Sequence, residues 1–224
     1  MRRELGVFSA MINHANEAWD WDLPNPIMGR RPKANKHRVR WEYPEQAKHL
    51  IHVAQQQRLT PWLADFIELG LNTGMRKTEM LRCELARVDL LNRCIHLYPE
   101  HQKSGCYSVV PLNRNARRVI LRRLTWIKKH CPDTPWLFPS RMGQGKQPMT
   151  DVRKPFTQVC QKVGLLDFRP HDLRHTFASW LVQAGVPLSE LKEAMRQRIL
   201  SKRRSMHTCA MPQLNVSLKC WIRI

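Results

Sequence analysis

The chain of 224 residues has no long run of apolar residues and few acidic side chains. Without an apolar stretch of about 20 residues, it offers no candidate for a membrane-spanning helix. Its basic N-terminus is not followed by the apolar segment of a secretion signal, so we expect a cytoplasmic protein. The 38 Lys and Arg residues outnumber the 18 Asp and Glu residues, which gives a formal net charge of +20. This charge favours a polyanionic partner, most often a nucleic acid.

The cysteine pattern argues against two further classes of protein. The 7 cysteines are scattered along the chain. Their odd number argues against a disulfide framework, and the lack of any Cys-x-x-Cys spacing argues against a zinc ribbon. We expect reduced cysteines in a cytosolic protein.

Tyrosine is the scarcest aromatic residue. The chain has only 3, namely Tyr43, Tyr98 and Tyr107, and none follows in the second half of the sequence.

The spacing of apolar residues predicts a mainly α fold with a small antiparallel β-sheet. Helices are predicted over residues 3–20, 44–54, 61–71, 78–85, 115–129, 151–163, 171–184 and 188–195. An extended segment begins at Val88. Strands over residues 94–98 and 107–112 are joined by a loop around Lys103, which is typical of a β-hairpin.

Residues 24–40 interrupt this pattern with Pro24, Pro26, Gly29 and Pro32. The segment also carries a group of basic side chains, namely Arg30, Arg31, Lys33, Lys36, Arg38 and Arg40. We interpret it as a linker that lies along a phosphate backbone, while a solvated basic loop remains the alternative.

Four side chains at loops and helix starts suit phosphodiester chemistry without a metal. Arg76 and Arg174 can stabilise the negative charge on the phosphate oxygens, because guanidinium groups are planar, bidentate and permanently charged. Lys103 can protonate a leaving oxygen, and His171 can exchange a proton. Taken singly, these residues are weak signals: Arg76 and Glu79, for example, can also form an ion pair on a helix surface.

The sequence around these residues makes the pattern specific. Residues 71–81 read LNTGMRKTEML, residues 171–179 read HDLRHTFAS, and residues 103–105 (KSG) are followed by VVPL at 109–112. In this order they resemble the two arginine boxes and the catalytic β-hairpin of the tyrosine recombinases, specifically the phage-type integrases. The resemblance covers about residues 1–195.

The resemblance implies a role for each matching residue. Arg76 and Arg174 would clamp the scissile phosphate, and Lys103 would be the general acid. Three further residues would complete the site: His171 as general base or phosphate hydrogen-bond partner, Glu79 as an orienting group, and His175 as a supporting residue. In the family a tyrosine attacks the phosphate and forms a phosphotyrosyl intermediate, with no metal or other cofactor. The implied partners are double-stranded DNA and further integrase subunits, in a bacterial, nucleoid-associated location.

Two family positions are not matched. The second histidine or tryptophan aligns near Gln197, and the nucleophilic tyrosine aligns near Met206. We hypothesise a frameshift after about Met195, since residues 205–212 can be encoded so that a shifted frame reads YAHLRHA, which resembles the tyrosine segment.

The resulting expectation is a catalytic domain of recombinase type at residues 41–195. Residues 1–23 would be the last helix of a truncated core-binding domain, 24–40 the linker, and 196–224 an aberrant basic tail. We expect a protein of the DNA integration or excision lineage that holds phosphate but does not cleave. The alternatives are a DNA-binding remnant that modulates an intact integrase, a basic RNA-binding protein, and a chain without a stable fold.

Overall fold

The computed structural model describes residues 2–30, 40–101, 105, 107–140 and 145–195. Two compact units divide the chain, one formed by residues 1–39 and the other by residues 40–224. Among the described residues, none of the helices combines the length and the apolar character that crossing a bilayer requires.

The first unit is built on one helix, α1 (Arg2–Trp19). The segment after it turns back along the helix, although its prolines exclude regular structure. The Asn25 side-chain amide donates to the Ser9 hydroxyl at 3.0 Å and to the Asn13 side-chain oxygen at 2.7 Å. The side chain of Asn16 likewise binds the backbone of Leu23. Residues 20–30 are therefore anchored to α1 by asparagine side chains.

The second unit holds seven helices and a three-stranded sheet within its described residues. The helices are α2 (Pro44–Gln55), α3 (Trp62–Thr73), α4 (Lys77–Leu81), α5 (Arg114–His130), α6 (Arg153–Val163), α7 (Asp172–Gln183) and α8 (Leu188–Ala194). The strands are β1 (Val88–Asp89), β2 (Cys94–Leu97) and β3 (Ser108–Pro111), with short 3-10 turns at Leu85–Arg87 and Pro99–His101.

The sheet is antiparallel throughout, in the order β1-β2-β3. Asp89 pairs with Cys94 between the first two strands, and Leu97 pairs with Ser108 between the last two. The predicted hairpin is confirmed, and the loop between its strands contains Lys103. Lys103 itself lies outside the described residues.

The core of the second unit surrounds α3, which packs against α2, α5 and α7. Ten of its 12 residues are buried. A helix that is apolar on nearly all sides belongs at the centre of a fold, because no face of it is suited to water. Phe66 and Phe138 meet edge to face in this core, with ring centroids 5.9 Å apart.

One arginine of the strongly basic helix α5 is buried. Arg123 is only 1% exposed, donates to the Leu137 carbonyl at 3.3 Å and stacks over Phe138. Burial lowers the pKa of Arg123 to about 10, so the guanidinium stays charged at neutral pH. Asp65 of α3 lies 3.8 Å away and offsets part of the cost of burying this charge.

Several predicted helix ends differ from the observed ends by one to four residues, and the C-terminal ends of α3 and α4 are among them. The prediction ended α3 at residue 71, whereas the helix continues through Thr73 and ends at Gly74. The Thr73 hydroxyl donates to the Leu69 carbonyl at 2.7 Å, which allows this residue to complete the last turn. The helix predicted over residues 78–85 ends at Leu81, and of the remaining residues only Leu85 belongs to the separate 3-10 turn.

Gly74 allows α3 and α7 to approach each other closely. Its φ of 58° lies in the left-handed region, and its amide donates to the Gly70 carbonyl at 3.0 Å, which ends the helix. A Cβ at this position would come within 2.7 Å of Cε1 of the buried Phe177 ring and closer still to Cδ1. Any other residue would therefore strain the backbone and displace a core aromatic side chain.

We predict that Gly74→Ala destabilises the protein more than Gly164→Ala does. Gly164 ends α6 with a φ of 77° and has open space at its Cβ position, so the substitution there adds only backbone strain, about 1 kcal/mol. Gly74→Ala adds the contact with Phe177, so we expect a total loss of about 2–4 kcal/mol. Urea unfolding of the two variants measures the difference. Equal losses would show that Phe177 moves aside without cost.

Candidate functional site

The turn after α3 presents Arg76 to the surface. Arg76 adopts an extended conformation as the N-cap of α4, and Glu79 holds it in two ways. One carboxylate oxygen accepts from the Arg76 amide at 2.9 Å, and the other accepts from Nη1 at 2.6 Å. The Arg76 side chain is 30% exposed, whereas that of Glu79 is 2% exposed. Glu79 is therefore an interior anchor and not half of a helix-surface ion pair.

The helix α7 brings the second arginine to the same turn. Arg174 is only 4% exposed, and its Nη1 donates to the Gly74 carbonyl, although 100 residues separate the two in sequence. Its Nη2 donates to the Met195 carbonyl just beyond α8. These two hydrogen bonds, one from each terminal nitrogen, compensate for the hydration that the buried guanidinium loses.

The start of α7 holds the two histidines of the site. His171 is the N-cap residue and is exposed, and its ring meets the half-buried His175 edge to face at 4.9 Å. Partial burial lowers the pKa of His171 below its ordinary value, and the charges of His175 and Arg174 act in the same direction. The charge of Arg76 adds to this effect, while Asp172 opposes it. His171 is therefore neutral at pH 7 and has one nitrogen that can accept a proton.

Further contacts hold α7 against the segment before α2. The Thr176 hydroxyl accepts from the Glu42 amide at 3.2 Å, and the Trp180 indole N–H donates to the Glu42 carbonyl at 3.0 Å. These contacts fix the direction in which His171 and Arg174 project.

The predicted site residues fall into three groups. The structure brings together Arg76, Glu79, His171, Arg174 and His175. Outside the described residues lie Lys103, Arg31, Lys33, Lys36, Arg38, Gln197 and Met206. The remaining two of the basic segment, Arg30 and Arg40, belong to different units.

Arg40 is held by the second unit in a way that the sequence analysis did not anticipate. Its Nε lies 3.1 Å from Glu42 Oε1, its Nη1 donates to the Leu166 carbonyl, and its guanidinium stacks over Phe168 at 6.0 Å. Arg30 is exposed in the first unit. The predicted contact of this basic segment with DNA stays a prediction.

The sequence analysis missed the two backbone carbonyls that bind Arg174. Carbonyl groups are common to every residue, so no sequence pattern marks those of Gly74 and Met195. Asn113 was also missed: its side chain caps α5 through the Ala116 amide at 2.8 Å and donates to Asn72 Oδ1 at 2.8 Å. An asparagine before a basic helix is a cap signal that identifies it.

The site combines a partly exposed arginine, a buried arginine and a neutral histidine at the junction of the α3–α4 turn and α7. A family model described as the phage integrase family matches residues 40–198, a range that includes all of these residues. The chain belongs to the phage integrase family. The predicted recombinase-type fold, mainly α with a small antiparallel sheet, is confirmed.

Two curated relatives illustrate the similarity in sequence. The integrase of Salmonella phage P22 is 32% identical over 199 residues, which cover 84% of this chain and 48% of the relative. The tyrosine recombinase XerC of Erythrobacter litoralis is 32% identical over 176 residues, 76% of this chain and 53% of the relative. The chain thus spans about half the length of these curated relatives.

Solved structures show the same fold at lower identity. The Tn1549 transposon integrase in complex with circular intermediate DNA superposes with a TM-score of 0.68 at 20% identity, covering 88% of this chain and 71% of that one. XerA recombinase superposes with a TM-score of 0.59 at 20% identity, covering 84% and 65%.

We predict that His171 titrates below the ordinary histidine pKa of about 6.5. Replacing His175 with Gln removes one charge that disfavours the imidazolium form, so the midpoint of His171 should rise. Arg76→Gln should raise the midpoint by a smaller amount, since the charge of Arg76 lowers the pKa of His171 less than that of His175 does. The Cε1 proton resonance of His171, followed by NMR against pH, measures each midpoint. A midpoint that no variant moves would mean that burial alone sets the pKa.

Proposed function

We propose that this chain binds duplex DNA and holds a backbone phosphate at the junction of the α3–α4 turn and α7, as the catalytic part of a site-specific recombinase of integrase type. One observation carries the proposal: α7 brings His171 and Arg174 to the turn that carries Arg76, which is far from them in sequence. Solved structures with this fold include the Tn1549 transposon integrase in complex with circular intermediate DNA and XerH site-specific recombinase bound to difH substrate. A net charge of +20 supports attraction to a polyanion.

The partly exposed Arg76 would be the first of the two arginines to meet a phosphate. Glu79 accepts a hydrogen bond from Arg76 Nη1 and so orients the guanidinium, which has further N–H groups to offer a phosphate. A phosphate oxygen could then replace the Met195 carbonyl on Arg174 Nη2, which would add a second charge-assisted hydrogen bond. The neutral His171 would contribute a further N–H donor or accept a proton.

The remaining chemistry depends on residues that the structure does not describe. We propose that Lys103 acts as general acid from the loop between β2 and β3, since the resemblance assigns it that role. A histidine or tryptophan near Gln197 and a tyrosine near Met206 are the unmatched positions. The tyrosine matters most for function, because it is the nucleophile of the family.

None of the three tyrosines has a setting that suggests attack on a phosphate. Tyr107 lies 2.6 Å from His96 Nδ1, Tyr98 lies beneath the Arg87 guanidinium at 5.4 Å, and Tyr43 packs edge to face on Trp41 at 4.8 Å. We therefore propose that this chain binds DNA without cleaving it. Such a chain would suit the role of a non-catalytic partner that modulates intact integrase subunits.

We predict that Arg76→Gln weakens binding to duplex DNA about tenfold or more, because it removes a charge-assisted hydrogen bond worth about 1.5–3 kcal/mol. Arg118→Gln is the charge-matched control, since Arg118 is exposed on α5. Fluorescence anisotropy over a range of salt concentrations measures both affinities. The logarithm of the affinity should fall linearly with the logarithm of the salt concentration. Equal losses in the two variants, or a preference for RNA over duplex DNA, would contradict the proposed site.

We also predict that the chain alone forms no covalent adduct with nicked duplex DNA that traps the phosphotyrosyl intermediate. Denaturing electrophoresis of labelled DNA measures adducts, and a full-length integrase with its own site is the positive control. If an adduct appears, the variants Tyr43→Phe, Tyr98→Phe and Tyr107→Phe identify its source. An adduct formed by the unmixed chain would overturn the proposal of binding without cleavage.

A further inference from the structure

The first two strands of the sheet place three potential metal ligands on one face. Asp89 of β1 lies directly opposite Cys94 of β2. His96 follows Cys94 by two residues, so its side chain projects to the same face of the strand. Cross-strand neighbours and residues two apart on one strand are both close enough for their side chains to meet.

The ligand atoms are close together. Cys94 Sγ lies 3.6 Å from His96 Nε2, and His96 Nε2 lies 3.9 Å from Asp89 Oδ2. One ligand atom from each residue lies within 4.8 Å of the other two. In tetrahedral zinc sites, bonds of about 2.3 Å to sulfur and about 2.0–2.2 Å to nitrogen and oxygen separate the ligand atoms by about 3.3–3.6 Å. Cys94 and His96 already have this spacing, and a movement of the Asp89 carboxylate by up to about 1 Å brings the third ligand to it.

Neighbouring side chains hold two of the three ligands in orientation. The backbone and side-chain amides of Asn92 donate to the two Asp89 carboxylate oxygens at 2.8 and 2.7 Å. His96 Nδ1 lies 2.6 Å from the Tyr107 hydroxyl oxygen. When Nε2 binds a metal, Nδ1 carries the proton and donates to that oxygen. Support of this kind from outside the ligand set is typical of metal-binding histidines.

We propose that Asp89, Cys94 and His96 bind one Zn²⁺ ion, with water in the fourth position. A thiolate, an imidazole and a carboxylate together favour zinc over the hard cations Mg²⁺ and Ca²⁺, which prefer oxygen ligands alone. The buried Cys94 and the half-buried Asp89 and His96 give the site a partly enclosed setting.

The proposed ion would crosslink β1 to β2. Because β2 also pairs with β3, the ion would stiffen the base of the hairpin whose loop carries Lys103. This role is structural and separate from the phosphate site, whose chemistry needs no metal. In the absence of zinc, the same residues form a weaker set in which the thiol and the carboxylate each contact the imidazole.

The test uses the full chain, freed of metal and titrated with Co²⁺ as a spectroscopic substitute for zinc. We expect one equivalent to bind with a thiolate-to-cobalt charge-transfer band, and zinc to displace it. The band should disappear in Cys94→Ser, and affinity should fall at least tenfold in His96→Gln and Asp89→Asn. Cys131→Ser and His130→Gln are the controls, since both residues lie outside the cluster.

Two further measurements guard against variants that fail to fold. X-ray absorption of the zinc-loaded unaltered chain should show a single sulfur ligand among nitrogen and oxygen ligands. Tyr107→Phe keeps all three ligands and should lower zinc affinity about tenfold by removing the partner of His96 Nδ1. Absence of the cobalt band, its survival in Cys94→Ser, or a shell with two or more sulfurs would each overturn the proposal. None of these readouts depends on DNA binding.

Discussion

The close approach of α3 and α7 at Gly74 is the constraint on which the site depends. Without a Cβ, Gly74 lets the Phe177 ring lie against the backbone turn, and the same turn directs its carbonyl to Arg174. Its left-handed conformation ends α3 and starts the extended segment that carries Arg76. Gly74 thus places both arginines: its backbone turn directs the segment of Arg76, and its carbonyl accepts from Arg174.

The two arginines have different physical situations. Arg174 is buried, and carbonyl groups compensate for its lost hydration, so it is a fixed charge within the fold. The Arg76 side chain is 30% exposed and is held by the buried carboxylate of Glu79. Partial burial lowers the pKa of the neighbouring His171, and the charges of both arginines add to this effect. The site therefore has permanent positive charge together with a neutral imidazole, which is the combination suited to a phosphate diester.

The short sheet supports a different set of interactions. Its register places a thiol, an imidazole and a carboxylate on one face, and Asn92 and Tyr107 orient two of them. The Tyr107 hydroxyl is hydrogen-bonded to His96 in this cluster, which gives Tyr107 a structural role. The hairpin thereby connects a polar cluster at one end of β2 to the loop that carries Lys103 at the other.

Much of the helical architecture followed from sequence, because apolar spacing reports which face of a helix is buried. Eight helices and the hairpin were predicted in the right order, and the errors fell at ends such as Thr73 and residues 82–85. At Thr73 a side-chain hydrogen bond lets α3 continue, and after Leu81 the chain leaves the helix before the 3-10 turn begins at Leu85. Apolar spacing carries little of this information. The burial of Arg123 was not predicted, because a basic side chain is buried only where other residues, here Leu137 and Asp65, compensate for its charge.

By itself, the sequence determined the family, the order of the elements and the identity of the candidate arginines and histidines, since these are carried by local motifs. Only the tertiary structure decided that Arg174 is buried against the carbonyls of Gly74 and Met195, and that Asp89 faces Cys94 across two strands. Such facts depend on contacts between distant segments. The physical reason is that every residue has a backbone carbonyl and many sequences fit a given strand register. Only the packing of the folded chain therefore decides which carbonyl is used and which residues face each other.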